Sequence, residues 1–485
     1  MKRLSFLLIL LFLLLAGNGA QAQNVVYSPY QKFDHRNGDF DVAGRIGDRI
    51  FTYRSSGDNH YLDAWDDSMN LKATVVLDFF PAKVSAVRFV PYADHLSVLY
   101  QTTERNRSVL YTALLDAQGL LQGRPMQLEE TKTGIFGGSG SFYEAAVSEG
   151  KNYILVYRME ESRKEFVMNG WLLNARLEKV KTIKATYKAE SSYRRGDVVV
   201  TDQGAVYLPV LRIAGVKDYA DGGDLLRMDT AARRFTALPL PVDNHYLSTI
   251  FMRASGAGNQ LVIAGFYSDA KNGQYDGVYF TSFDAATGSL APIRTWQFDE
   301  RLRTATGARN LKRAFNDFDM KQLVVRKDGG FVLVAENTIV TTRAAGSPFG
   351  FYSYYYTPFG YGATIREYYF NDIVALSFSP TGTLEWNSFV RKQQYSQEDG
   401  GRFSSFAFLN TGGSLAMLFN DFNTRRSSIQ LAAIDASGHQ EVRSLAAGQA
   451  SDPDWLPRFG RQTAQRELIV PCLRRGEICF ARVTF

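Results

Sequence analysis

A unit of four short apolar strands that recurs about every 55 residues constrains this chain more than any other feature. Its last turn is easiest to follow: DAQG from Asp116, DAATG from Asp284, SPTG from Ser379 and DASG from Asp435, with degenerate copies at Asp67, Asn174 and Asp229. Successive copies lie 49, 58, 55, 55, 95 and 56 residues apart. A fixed period on this scale marks a repeat architecture. The order inside a unit is constant: FYEAAVS, NYILVYR, NGWLLNA and a Lys-rich run from Lys179 to Lys188 correspond to SSFAFLN, SLAMLFN, IQLAAID and QEVRSLA near the C-terminus. Second and third strands are apolar on both faces, which demands a neighbouring sheet on each side. Fourth strands alternate with Lys and Arg, as a solvated edge does.

Four-stranded antiparallel units in tandem close radially, and the closed ring protects their edges. The sequence therefore predicts an all-β fold, a single β-propeller of eight four-stranded blades, with seven as the alternative. Third strands fall at 60–66, 108–116, 169–176, 224–229, 276–284, 371–378, 428–435 and 478–484. The eighth unit reaches Phe485 without a fourth strand, while NVVYSPYQKF near the N-terminus is spare. That segment is expected to close the last blade.

Ahead of it, Lys2 and Arg3 precede an apolar run from Leu7 to Ala16 and small residues ending in Ala20-Gln21-Ala22. This reads as a secretory signal peptide over 1–22, with a run too short to span a membrane. No Cys stands near the cleavage point, and no later stretch approaches 18 apolar residues. Residues 23–485 are thus expected to form an exported, periplasmic or extracellular monomer with no lipid anchor and no membrane span. Removing Lys2 and Arg3 takes the formal charge from +6 to +4, short of the clustered basic surface that nucleic-acid binding requires. Both cysteines lie in LIVPCLRRGEICFARV, where a turn centred on Arg475-Gly476 sets Cys472 opposite Cys479. Opposed strand positions come within disulfide range, about 4.5–5.5 Å. In an oxidising compartment a bridge is expected; two buried thiols are the alternative.

Two local patterns add to the repeat. DAATG from Asp284 and TGTLEW from Thr381 to Trp386 resemble the D-x-x-T-G-x-x-x-W turn of quinoprotein-type propellers. SDPDW (451–455) resembles the D-P-x-W part of the TolB-type propeller repeat. As a whole, YYFNDIVALSFSPTGTLEW and RKQQYSQEDGGRFSSFAF resemble exported propeller-like proteins of Bacteroidota. These resemblances imply a fold and a location. The redox chemistry of quinoproteins is not implied, because the chain has no adjacent Cys-Cys pair.

In a propeller, first-to-second and third-to-fourth connections share one face; the remaining connections share the other. The first set is short here, as in Gln203-Gly204, Asp328-Gly329-Gly330 and Thr411-Gly412-Gly413. The long segments, 131–140, 158–168, 214–223, 299–315, 338–370 and 392–402, all fall in the second set. A rigid ring with its loop length on one side is how scaffolds display function. The Tyr-rich insertion 338–370 is the longest, and eleven of the 28 residues from Arg343 to Phe370 are aromatic. Tyrosine offers a rigid apolar body with a hydroxyl handle, suited to stacking on sugars or gripping peptide.

Candidate binding residues are Tyr352, Tyr354, Tyr355, Tyr356, Tyr361 and Arg366, with Arg309 and Arg313 from the segment that also holds Arg301, Arg303 and Lys312. Asp218, Asp221 and Asp224 in DYADGGD form the calcium candidate; no other cofactor is expected. The five histidines show no H-E-x-x-H spacing, and G-x-S-x-G is absent. The resulting expectation is an exported scaffold that binds a glycan or protein through one loop-rich face. The alternative is a polysaccharide-acting hydrolase or lyase working on that face, with its carboxylates converging in the central funnel.

Overall fold

The middle strands of each unit are runs of β-branched and aromatic residues, and in the computed structural model they form antiparallel hairpins. The structure describes residues 24–485 except 36, 105, 133–141, 214–218, 241, 243, 256–259, 272, 345–363, 423–427 and 447–451. The expected signal peptide and the tyrosines 352–361 therefore lie outside the described residues. Among the described residues, strand pairing groups into eight hairpin units, whose inner strands open at Phe40, Ala86, Glu144, Val199, Phe251, Phe318, Ala407 and Arg461. The third, fourth and fifth merge into one larger sheet through single-residue pairings such as Thr186↔Arg234 and Ala220↔Leu247.

No unit has a core of its own. Tyr53 and Leu62 of the first unit pack on Phe89 and Leu96 of the second. Leu155 and Phe166 of the third meet Leu208 and Phe235 of the fourth. Phe266 and Phe280 of the fifth meet Phe331 and Phe378 of the sixth. Leu418 and Leu431 of the seventh meet Val470 and Val483 of the eighth. The succession ends where it began, with Ile469 and Phe480 of the eighth unit packed on Val42, Ile50 and Trp65 of the first. A closed succession of inter-sheet cores is a ring. The fold is a β-propeller.

The recurring turn is one local structure. The side-chain oxygens of Asp116, Asn174, Asp229, Asp284 and Asp435 each accept a hydrogen bond from the backbone N–H two residues on, an Asx turn. In the first unit the role falls to Asp66, one residue before the expected Asp67. The turn glycines have a second duty. Gly438 sits at φ 84°, and a Cβ there would lie 2.6 Å from the Trp386 indole of the preceding blade. That indole in turn donates to the Ala436 carbonyl at 3.0 Å. The quinoprotein-like tryptophan is a blade-to-blade peg.

Closure uses both ends of the chain. Asn24–Tyr27 runs antiparallel to Glu477–Thr484, Asn24 opposite Thr484 and Tyr27 opposite Ala481, and Gln31–Lys32 continues the pairing. The N-terminal strand closes the last blade, as the sequence predicts. Behind it, the buried Glu467 carboxylate accepts from Arg45 of the first unit (2.5 and 2.9 Å), Arg482 (2.6 Å) and Thr463 (2.6 Å). Cys472 and Cys479 are directly opposed and buried, in the expected register, but their sulfurs are unbonded in this structure.

Burial alone would raise the Glu467 pKa, yet the donors from Arg45, Thr463 and Arg482 prevail and hold it below the ordinary value. Glu467→Gln should therefore cost about 1–3 kcal/mol at neutral pH, because it removes the buried carboxylate that two partly buried guanidinium groups share and leaves them only the exposed Asp67. A folded pKa below the unfolded one means this stabilisation is present above the ordinary glutamate value, about 4.3, and is lost as pH falls below that through the folded value. Urea melts across that range should show the gap between wild type and variant closing in acid; a gap independent of pH would refute this account. Deleting residues 23–34 should expose the last edge and drive aggregation, read by light scattering. An unchanged monomer would show that closure does not need the strand.

Candidate functional site

Much of what the sequence reads as loop on the long-connection face is strand. Residues 158–168 lie in a hairpin whose ladder runs out to Glu161 opposite Phe166. Its second strand alternates buried and half-buried positions, so pairing persists to the tip. Residues 392–402 contribute the strand Gln394–Gln397. Residues 299–315 carry a short helix, Glu300–Ala305, capped by Asp299, and a 3-10 turn, Leu311–Arg313, capped by Asn310. This segment is docked rather than free, since Phe315 stacks on Phe298 at 4.0 Å.

The sixth unit carries the most distinctive excursion. Its middle hairpin, Phe331–Ala344 with Thr364–Phe378, shifts register between Glu336 and Thr338. Before the shift it belongs to the sheet. Beyond it, residues 338–344 and 364–370 continue as a separate stem, and Gln394–Gln397 adds a third strand. One face of the stem presents Ile339, Tyr369 and Tyr395, with the two phenol rings 4.9 Å apart. Tyr395 donates to Glu367 at 2.7 Å and remains 43% exposed; Val340, on the opposite face, is 55% exposed.

A buried ion pair roots this stem. Lys392 Nζ lies 2.7 Å from Glu336 Oε1 and donates to the Phe370 carbonyl and to Gln394 Oε1, both at 2.9 Å. Ser405 donates to Glu336 Oε2 at 2.8 Å. Gln394 reaches the Asn420 carbonyl, and Asn420 reaches those of Phe403 and Trp455. The network ties the bend to the seventh and eighth units. Burial lowers the Lys392 pKa, against the pull of Glu336.

Arg366 is exposed on the stem, and Arg309 is exposed on the docked segment. Arg313 comes to the root of the stem, where it lines a cleft of about 650 Å³ with Asn337, Asn371, Asp372 and Arg391. Arg303 is spent internally on the Phe298 and Leu311 carbonyls and on Asp276. Tyr352, Tyr354, Tyr355, Tyr356 and Tyr361 lie outside the described residues. So does Asp218. Asp221 and Asp224 lie on the strand Ala220–Asp229 rather than a loop, three positions apart and so on opposite sides. Asp224 is buried and accepts from Tyr187 at 2.9 Å and Arg212 at 3.2 Å. Asp221 is exposed beside His245 and Asp269. Among the described residues no three His, Cys, Asp or Glu side chains converge to hold a metal ion.

The central channel carries residues the sequence did not single out. Arg88, Glu144 and Arg461 lie on inner strands, and Asp197 lies two residues before the inner strand Val199–Val200. Arg88, Glu144, Glu149, Tyr157, Asp197 and Arg253 line a cavity of about 570 Å³. Glu144 is already engaged, by Arg195 at 2.8 Å and by the Tyr157 hydroxyl at 2.8 Å. Burial and then the Glu144 charge push the Tyr157 phenol far up, so at neutral pH it keeps its proton and donates a hydrogen bond to Glu144. Burial, helped by nearby Asp202, also raises Glu149. The available signal was a lone charge inside short apolar strands, as in SAVRFV and FYEAAV. A further cleft of about 1490 Å³ opens on the short-turn face between Arg326–Gly329 and Thr411–Ser414. Concavity is therefore not confined to the long-connection face.

No protein-family model matches the chain, and no curated protein is similar to it in sequence. Solved structures similar in fold include the WD40 domain of SCAP from fission yeast, at 10% identity over 96% of this chain and 98% of that one, with a TM-score of 0.40. A polysaccharide lyase, ulvan lyase, is 11% identical over 81% of this chain and 90% of that one, with a TM-score of 0.40. Prolyl oligopeptidase B from Galerina marginata is 11% identical with a TM-score of 0.42; the match covers 90% of this chain and 55% of that longer one. At such identities nothing of their activities passes to this chain. Among the described residues no helix is long and apolar enough to cross a membrane.

Lys392→Met should leave the buried Glu336 charge only the longer Lys321 contact at 3.7 Å and cost about 2–4 kcal/mol, while Lys392→Met with Glu336→Leu should recover most of it. Denaturant melts measure both. A single variant as stable as wild type would show that the pair does not root the stem.

Proposed function

We propose that this propeller is an exported scaffold that binds a glycan or protein partner through its long-connection face, at the sixth unit. The observation that carries this reading is the stem. Its hairpin leaves the sheet at a register shift, is anchored by a buried ion pair, and holds exposed apolar and aromatic side chains away from the ring. A rigid root lowers the entropy that a partner must overcome on binding. The Tyr-rich segment joins its two strands in sequence, and exposed Arg309, Arg313 and Arg366 lie on the docked segment and the stem itself. On export the opposed Cys472 and Cys479 would oxidise and staple the last hairpin.

A second reading, a polysaccharide-acting hydrolase or lyase, draws on the channel, where Glu144, Glu149 and Asp197 line one cavity with Arg88, Arg253 and Tyr157. Against it, Glu144 is saturated by Arg195 and Tyr157, and the phenol is poorly suited to act as a base. Binding remains the better reading.

Replacing Tyr354, Tyr355 and Tyr356 with Ala should leave the ring folded and weaken partner binding by about 1–3 kcal/mol per anchoring ring. Glycan arrays and cross-linking with the purified chain identify the partner, and titration calorimetry measures the loss. A triple variant that unfolds would place that segment in the core. One that folds and binds unchanged would move recognition elsewhere. Turnover of a polysaccharide that disappears in Glu149→Gln and Asp197→Asn would favour the enzyme.

A further inference from the structure

We propose that the outer edge of the sixth-unit stem, residues 338–344, docks an extended peptide segment of a partner protein, which joins the stem as a further strand. This rests on the stem as the recognition element and narrows its partner to a protein. The stem strands lie in the order 338–344, 364–370, 394–397, so the first has a neighbour on one side only. The unit's inner strand stops pairing with it at Asn337, opposite Phe318. The next N–H, of Thr338, points outward and donates to the Asp317 carbonyl at 2.7 Å. Main-chain direction alternates along a strand, so the N–H and C=O of Val340 and Thr342 point outward too. Among the described residues nothing bonds to them there. Val340, Thr341 and Thr342 are exposed, and the ladder from 338 to 344 keeps one register.

The outermost strands of the ring are edges of the same kind, and each is defended. Register shifts interrupt those of the first, second, third, sixth and seventh units. Pro239 stands in that of the fourth. The fifth unit's is split into Ser289–Leu290 and Arg294–Gln297, and the eighth's into Asn24–Tyr27 and Gln31–Lys32. Bulges, prolines and short lengths stop a sheet edge from recruiting foreign strands. The stem edge has none of them. Its run TIVTT (338–342) is uncharged and β-branched at every position, the composition that favours an added strand. Main-chain donors and acceptors at ladder spacing recognise one chemistry, another extended peptide backbone. A five-residue edge spans about 17 Å. Contact of that length with a second rigid ring falls short of the roughly 1,000 Å² that a stable interface needs. A flexible segment can follow the edge and cover Val340 on one face and Ile339 on the other.

The probe is a fluorescein-labelled heptapeptide, TIREYYF, copied from residues 364–370, which already pair with this strand from its other side. Fluorescence polarisation with the purified chain should show saturable binding. Hydrogen exchange should find the Val340 and Thr342 amides open without peptide and slowed with it. Val340→Pro should weaken binding about tenfold or more, because it removes an outward donor and spares the stem's own ladder. A peptide N-methylated at its central amides keeps its side chains and should not bind, which keeps the test decisive if the proline variant misfolds. No saturable binding, or binding indifferent to either change, would overturn the proposal. Amides already protected in the free chain would assign the edge to another segment of this chain and overturn it too. A concentration-dependent dimer that Val340→Pro dissolves would do the same in favour of a second copy. A glycan bound through Tyr354, Tyr355 and Tyr356, with no peptide binding, would sink this inference and leave the stem as the recognition element. Silence of glycan arrays, cross-linking and peptide together would sink both.

Discussion

Strands apolar on both faces cannot be covered from one side, and this requirement organises the whole molecule. Val210 and Leu211, or Ile263 and Ala264, are consecutive residues that point to opposite faces, and all four are buried. Each sheet therefore needs a neighbour before it and behind it, and only a ring gives every sheet two. Burying one such side chain is worth about 1.5–3 kcal/mol, and each inter-sheet core holds many. The ion cluster at Glu467 is small beside that sum. Its contribution is register: it ties Arg45 of the first unit and Arg482 of the last to one carboxylate at the seam.

A ring held together this way leaves its rims free to vary. Additions there do not disturb the inter-sheet cores, so hairpins can run past the ring, as the third and sixth units do. The sixth-unit stem shows what turns such an addition into a fixed feature. A register shift redirects the hairpin, and the Glu336–Lys392 pair, with the glutamine and asparagine behind it, holds the new direction. Desolvating two charges is expensive, and apolar packing would have served stability as well. What the pair adds is a defined angle, because its hydrogen bonds are directional where hydrophobic contact is not.

The channel obeys a different constraint. Inner strands face water on one side, and the ring forces their exposed charges into a shared, enclosed volume. Interactions that would be screened on an outer surface persist there. Charges of both signs, Arg88 and Arg253 with Glu144, Glu149 and Asp197, thereby share one cavity without any residue being unusual in itself.

Most of the architecture was legible in the chain, because strand periodicity and turn chemistry are local. The Asp turns, the Arg475-Gly476 hairpin that sets Cys472 against Cys479, and the spare N-terminal strand all follow from residues near each other in sequence. The misplacements were local as well: Asp67 for Asp66, and loops at 158–168 and 220–223 that are strands, because polar residues on a solvated ladder look like loop. Meetings between distant residues were not legible. Glu467 with Arg45, Lys392 with Glu336, and Arg461 with Asp41 are separated by up to several hundred residues, and each is an ordinary surface-type charge until the ring closes. The repeat determined what kind of ring this chain forms. Which charges face one another was decided only by closure, since electrostatic neighbours are set by distance in space and the sequence carries no measure of that across blades.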